Sequence, residues 1–261
     1  MRELLEAVAA GELSPEAAEA ELRGYATTHA GRFDAARERR SGVPEAVLAD
    51  GKTPEEVATL AVTSLDTTGR ALVTRLEDGH EEAIRQRCRE TVPDATVEVR
   101  DRIGALLAYG PGYEAPDIDA RVAVVTAGTS DAIPAGEAAL VAEEMGASVT
   151  TVEDVGVAAL ARVTDNLPTL REQDVLVVAA GREGALPTVV AGLLDVPVIG
   201  LPVSTGYGHG GEGEAALAGM LQSCTALSVV NIDAGFTAGV QAGLYARSLD
   251  AARTGESRSA Q

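Results

Sequence analysis

The chain has no tryptophan, two phenylalanines and five tyrosines in 261 residues. A core must therefore come from Ala, Val and Leu, which the 46% apolar content permits. Lysine occurs once, at Lys52, among 21 basic residues that face 40 acidic ones. The net charge of −19 is spread along the chain rather than gathered in a tail. Such a surface repels nucleic acid and anionic membranes, so neither is expected as a partner. Acidity with almost no lysine fits a halophilic host, whose salt screens the repulsion. No apolar run approaches about eighteen residues, so no membrane span is expected. The start, MRELLEAVAA, lacks the basic-then-apolar order of a secretory signal, and a cytoplasmic location is expected. Two cysteines, Cys88 and Cys224, suit a reduced compartment better than a disulfide framework. The histidines (His29, His80, His209) are scattered, so no zinc site is expected.

What is present falls into two patterns. Residues 1–29 read as N-terminal helices, the second opened by Ser14-Pro15-Glu16 with serine as cap and proline in the first turn. Residues 30–110 read as a small α+β domain. Within it 31–50 is an arginine-rich extended piece, Thr53-Pro54-Glu55-Glu56 starts a helix, 70–76 is a strand, 78–91 a polar helix and 96–108 one or two strands. Two glycines and two prolines make 111–119, with the tyrosine and glycine before it, the clearest linker. Beyond it, 120–250 alternates short β-branched runs (122–126, 148–152, 175–179, 196–200, 226–231) with helical stretches (134–145, 155–163, 185–194, 212–221). Continuous apolar strands alternating with helices predict a doubly wound parallel α/β sheet covered on both faces. Ligands of such sheets sit beyond the carboxyl ends of the strands. The polar tail, 251–261, is expected to be disordered.

Chemistry-bearing residues cluster in the loops at those ends. Ala127-Gly128-Thr129-Ser130-Asp131 joins a strand to a helix; its amides and hydroxyls suit an anion, or Ser130 or Asp131 simply caps the helix. The loop is neither GxGxxG nor a P-loop, for it lacks a Walker lysine. Gly181-Arg182-Glu183-Gly184 sets a charged pair between glycines: Glu183 reads as a base or partner for a cation, and Arg182 as a holder of phosphate or carboxylate. The alternative is a solvated turn with an internal ion pair. The stretch from Pro202 to Gly213 holds five glycines, with Gly206-Tyr207-Gly208 and His209 inside it, as where a backbone approaches a ligand. Cys224 follows the next helix. A free cysteine is usually a small buried residue, yet one just past a glycine-rich loop is also a candidate nucleophile.

Taken together, AGTSD (127–131), DVGVAAL (154–160), GREGALPTVVAGL (181–193), PVIGLPVSTGYGHGGEGEAALAGMLQSC (197–224) and VVNIDAGF (229–236) resemble the LarB family of nickel-pincer cofactor biosynthesis. GVPEAVLADGKTPEEV (42–57) and LVTR (72–75) extend the resemblance over most of residues 30–245. The second half also resembles the PurE family of aminoimidazole ribonucleotide carboxylases and mutases, with a PurE-like, flavodoxin-like fold. Ala185 stands where that pattern has a histidine, which disfavours the purine reaction. Two further departures, Arg182 for a commoner methionine and Ala161 near a frequent histidine, bear on substrate contacts.

The LarB resemblance implies carboxylation of pyridinium C5 of nicotinic acid adenine dinucleotide with hydrolysis of its phosphoanhydride. The products are pyridinium-3,5-biscarboxylic acid mononucleotide and AMP. It implies Cys224 as nucleophile, Glu183 as base, and Ser130, Asp131 and Asp154 around substrate carboxylate or CO2. Gly128, Thr129, Arg182, Gly184, Gly206, Tyr207 and Gly208 would line the substrate, and Lys52 and Arg75 would hold the adenylate half. Mg²⁺ is the implied cofactor, its ligands unassigned; biotin, ATP and zinc are not implied. Partners would be the dinucleotide and CO2 or bicarbonate, within a ring-like homo-oligomer such as an octamer. The alternatives are a PurE-type carboxylase or mutase and a non-catalytic nucleotide-binding regulator.

Overall fold

The computed structural model describes residues 2–11 and 14–255. The chain divides into two units, Met1–Glu114 and Ala115–Gln261, with the break inside the Gly/Pro-rich segment.

The first unit begins with α1 (Arg2–Ala10) and α2 (Pro15–Arg23), followed by an antiparallel pair, β1 (Ala26–Thr28) and β2 (Gly31–Phe33). The piece expected to be extended over 31–50 instead contains β2, the short α3 (Arg37–Ser41) and β3 (Val47–Leu48). Its arginines serve as ion-pair partners: Arg37 binds Glu45 at 2.7 Å and Arg40 binds Asp34 at 2.5 Å. Then come α4 (Pro54–Thr68), β4 (Arg70–Thr74), α5 (His80–Thr91), β5 (Thr96–Arg100) and β6 (Ala105–Tyr109), with the sheet ordered β3-β4-β6-β5. Helix α4 starts where the sequence places it. Thr53 Oγ1 accepts from the Glu56 amide, and the Glu56 carboxylate accepts from the Thr53 amide at 2.8 Å, a reciprocal cap that satisfies orphan helix donors. Val57, Ala61 and Leu65 of α4 and Ile84 and Cys88 of α5 pack with Val73 and Leu106 of the sheet. His80 is buried. Its Nδ1 accepts from the Glu77 amide at 2.9 Å, so Nε2 carries the proton and donates to the Lys52 carbonyl at 2.8 Å.

The second unit is a five-stranded parallel sheet: β7 (Arg121–Thr126), β8 (Ser148–Val152), β9 (Val175–Ala180), β10 (Val198–Pro202) and β11 (Ser228–Val229), in the order β11-β10-β9-β7-β8. Alternate residues face opposite layers. Val122, Val124, Val177, Ile199 and Leu201 pack under α6 (Ala132–Glu144) and α10 (Gly235–Thr254). Ala123, Val125, Leu176, Val178 and Val198 pack under α7 (Leu160–Arg171), α8 (Ala185–Leu193) and α9 (Glu214–Leu221). Both faces are covered, which is why these strands read as unbroken apolar runs.

Several boundaries differ from the sequence expectation. The helix expected at 155–163 is a short 3-10 turn, Val157–Ala159, followed by α7 to Arg171. The last strand shrinks to Ser228–Val229 at the sheet edge. The longest helix, α10, has no expected counterpart. Its glycines recur every four residues, and glycine weakens helices in isolation. Here they make one bare stripe: a Cβ on Gly239 would stand 2.5 Å from the Ala138 carbonyl oxygen of α6. α10 also runs through Thr254, so the expected disordered tail is helical over 251–254. Arg253 holds that end, donating to the Asp119 carbonyl and binding Asp174 at 2.6 and 3.0 Å. Residues 256–261 lie outside the described residues. Among the described residues no helix is long and apolar enough to cross a membrane.

Candidate functional site

The strand order places a switch point between β7 and β9, whose following helices leave to opposite faces of the sheet. Open α/β sheets bind ligands in the crevice at such a point. A cavity of about 410 Å³ lies there, lined by Gly128, Ser130 and Asp131 after β7, Gly156 to Ala158 after β8, and residues 180–186 after β9, with Thr205 to Tyr207 after β10. Its volume is in the range of small-molecule pockets.

Glycine lets these loops converge. A Cβ on Gly156 would come within 2.7 Å of the Ala127 carbonyl oxygen, and one on Gly206 would overlap that of Gly181. Gly184, at φ +68°, is the N-cap of α8, and a Cβ there would be 2.5 Å from the Ala216 carbonyl oxygen of α9. The left-handed backbone and the close neighbour both require glycine.

Asp131 is buried at the floor of the cavity. Its Oδ2 accepts from the Gly128 amide at 2.9 Å and its Oδ1 from Thr205 Oγ1 at 3.2 Å. It therefore folds back on its own loop rather than capping α6, to which its side chain makes no cap hydrogen bond, and also ties the first loop to the fourth. Burial pushes its carboxyl above the usual aspartate range, against the opposing pull of those donors. Thr205, which the sequence reading passed over, sits beside the noticed Gly-Tyr-Gly and shows no special spacing. The neighbouring Ser204 amide donates to Asp233 Oδ1 at 2.9 Å, and Asp233 holds φ +54° to do so. Glu183 and Arg182 line the cavity with their side chains exposed to solvent.

The cavity thus gathers Gly128, Ser130, Asp131, Arg182, Glu183, Gly184, Gly206 and Tyr207. Thr129, Asp154, Gly208 and His209 are not among its lining residues. Asp154, just past β8 at φ +57°, pairs with Arg162 at 3.1 Å. Cys224 is likewise not among the lining residues. It is exposed, in the turn between α9 and β11. Because β11 runs parallel to β10, this turn enters the sheet at its amino edge, whereas the cavity lies at the carboxyl edge. Gly192, near the far end of α8, faces the Thr225 methyl group. A five-residue strand separates the two edges by roughly 15 Å. The helix before Cys224 does reach the Glu183 loop, where a Cβ on Gly219 of α9 would overlap the Glu183 carbonyl oxygen. Lys52 and Arg75 belong to the first unit: Lys52 Nζ donates to the Leu48 carbonyl at 2.6 Å, and Arg75, at φ +59°, lies 3.7 Å from Asp50. Among the described residues no three His, Cys, Asp or Glu side chains gather as a metal site.

Comparison with known proteins places these features. Residues 25–102 match the LarB/PurE-like N-terminal domain, and residues 121–260 match the AIR carboxylase domain. An uncharacterized protein of Methanocaldococcus jannaschii is 39% identical over 220 residues, covering 83% of this chain and 84% of its own length. Among solved structures, PurE of Treponema denticola aligns at 14% identity with a TM-score of 0.38, covering 53% of this chain and 99% of that one. A flavodoxin from the domain Archaea aligns at 16% identity with a TM-score of 0.34, over 49% and 99%. The two domain matches put the chain in the LarB family, a carboxylase-type protein whose carboxyl-terminal half is an AIR carboxylase domain.

Proposed function

We propose that the protein carboxylates pyridinium C5 of nicotinic acid adenine dinucleotide and hydrolyses its phosphoanhydride, releasing pyridinium-3,5-biscarboxylic acid mononucleotide and AMP. The observation that carries this reading is the convergence of Ser130, Asp131 and Glu183 on one switch-point cavity, in a chain that joins a LarB/PurE-like N-terminal domain to an AIR carboxylase domain. The residues suit the chemistry. A pyridinium ring is too electron-poor to attack CO2. A thiolate added at C4 leaves N1–C6=C5 as an enamine, whose C5 attacks CO2 and forms the new carbon–carbon bond. Glu183 takes the C5 proton, and departure of the thiolate restores the aromatic ring. Asp131 faces the ring's positive charge, and Ser130 hydrogen-bonds the carboxyl groups.

The thiolate is Cys224. It is not among the residues that line the cavity of its own chain, so the reading takes it from a second copy. The site is then completed only in a homo-oligomer, and a contact between unlike ends of neighbouring copies closes naturally into a ring. Mg²⁺ enters as a companion of the substrate phosphates, the usual mode for this ion, since the described residues offer no three-ligand set of their own. It would supply charge neutralisation at the phosphoanhydride.

Cys224→Ser and Glu183→Gln test the assignment. Each variant should lose ring carboxylation while remaining folded. Dissociated, mixed and reassembled, the pair should regain part of the activity, because some interfaces then join an intact thiol to an intact carboxylate. Activity in Cys224→Ser alone would remove the covalent step. Two inactive variants that never complement would place the thiol and the carboxylate in one chain.

A further inference from the structure

Among the described residues Arg182 is the one basic side chain that lines the cavity. In a chain where acidic residues outnumber basic ones 40 to 21, its guanidinium makes no ion pair among the described residues. It lies instead over the ring of Tyr207, with Cζ 4.0 Å from the ring centroid. Tyr207 is 79% exposed, so burial does not hold the pair together. What holds it is the backbone beneath, where Gly181 and Gly206 bring the two loops into contact. Stacking uses the face of the guanidinium and leaves its in-plane N–H donors free. Those donors form a fork that matches a phosphoryl or carboxylate oxyanion bidentately.

We infer that Arg182, stacked on Tyr207, is the specificity-determining receptor for the phosphoryl group of a pyridinium nucleotide, with Tyr207 as its positioning residue. The cavity sets one buried carboxyl, Asp131 at the floor, against an exposed rim where Arg182 stands beside Glu183. A cationic ring lies between Asp131 and Glu183, and the ribose carries the phosphoryl group outward to Arg182. This orientation presents the ring in one direction only and rejects ligands that lack the phosphoryl group. The inference rests on the pyridinium nucleotide reading above, and its test reads binding rather than turnover.

Calorimetric titration of the full-length protein with three probes separates the anions. Nicotinic acid riboside carries the ring carboxylate alone, nicotinamide mononucleotide the phosphoryl group alone, and nicotinic acid mononucleotide both. Arg182→Met should weaken both mononucleotides by about tenfold or more, the usual weight of a charge-assisted bidentate contact, and leave the riboside unchanged. Tyr207→Leu should weaken the mononucleotides less, and Tyr207→Phe should restore them, since phenylalanine keeps the face that orients the guanidinium. Both side chains are exposed, so neither change threatens the fold. Mononucleotide binding unaffected by Arg182→Met, or weakened to the same degree as riboside binding, overturns this inference and leaves the reaction standing. Failure of all three probes to bind the unaltered protein overturns both.

Discussion

A Cβ on Gly206 would overlap the carbonyl oxygen of Gly181, so the loops that carry Tyr207 and Glu183 touch backbone to backbone. Gly206→Ala must part them. The cost expected for such overpacking is about 1–3 kcal/mol, read as a lower melting temperature. Loss of nucleotide binding should exceed what the lower stability explains, because the walls of the cavity separate. An alanine variant with unchanged melting and binding would show that the loops are not in contact.

The two cysteines should differ in reactivity. Cys224 is exposed, whereas Cys88 is buried in the first unit, where desolvation pushes its thiol up. A thiol reagent should modify a single fast equivalent in the folded protein, and Cys224→Ser should abolish it. Nicotinic acid adenine dinucleotide should protect that thiol if Cys224 enters a neighbouring cavity. Equal rates for both thiols would contradict the burial of Cys88.

Asp131 holds its proton to higher pH than an ordinary aspartate because it is buried. Below the raised value the carboxyl is neutral and does not attract a cation. Affinity for nicotinic acid riboside should therefore rise with pH through that value and then level off. The fold bears the opposite trend: stability attributable to this group falls as pH climbs from the ordinary aspartate range, about 3.9, through the raised value. Asp131→Asn should flatten both profiles. A pH-independent affinity in the unaltered protein would remove Asp131 from the floor of the site.

Asp174 behaves in the reverse sense. Its hydrogen bonds to Arg253 hold its carboxyl below the usual range, aided by the Arg121 amide at 2.8 Å. The stability it contributes is full above the ordinary aspartate value and is lost only as pH falls through the depressed one. Asp174→Asn should thus melt lower than the parent at neutral pH, and the gap should close in acid. A gap that widens in acid would contradict the pairing of α10 with the sheet.

Much of the second unit was legible because its strands are short, β-branched and uninterrupted, and because each ends in a loop of small or polar residues. That pattern puts Ser130, Asp131 and Glu183 at one edge of the sheet, where all three line the cavity. What the pattern could not reveal depends on packing. α10 is a helix because its glycine stripe admits the backbone of α6, a property of two helices together. Thr205 matters only because Asp131 folds back to it across 74 positions. Cys224 follows the glycine-rich loop closely in sequence, past the eight residues of α9, yet is not among the residues that line the cavity. In the first unit, the two-residue β3 is held by pairing to β4 and has no periodicity of its own to read.

The most direct test supplies the protein, in high KCl with Mg²⁺, with nicotinic acid adenine dinucleotide and [13C]bicarbonate, and follows the pyridine products by mass spectrometry and carbon NMR. The account predicts a labelled carboxyl group on C5 of a pyridinium mononucleotide, formed in step with AMP. No label in the ring, with carboxylation of aminoimidazole ribonucleotide in its place, would contradict it and return the chain to purine chemistry.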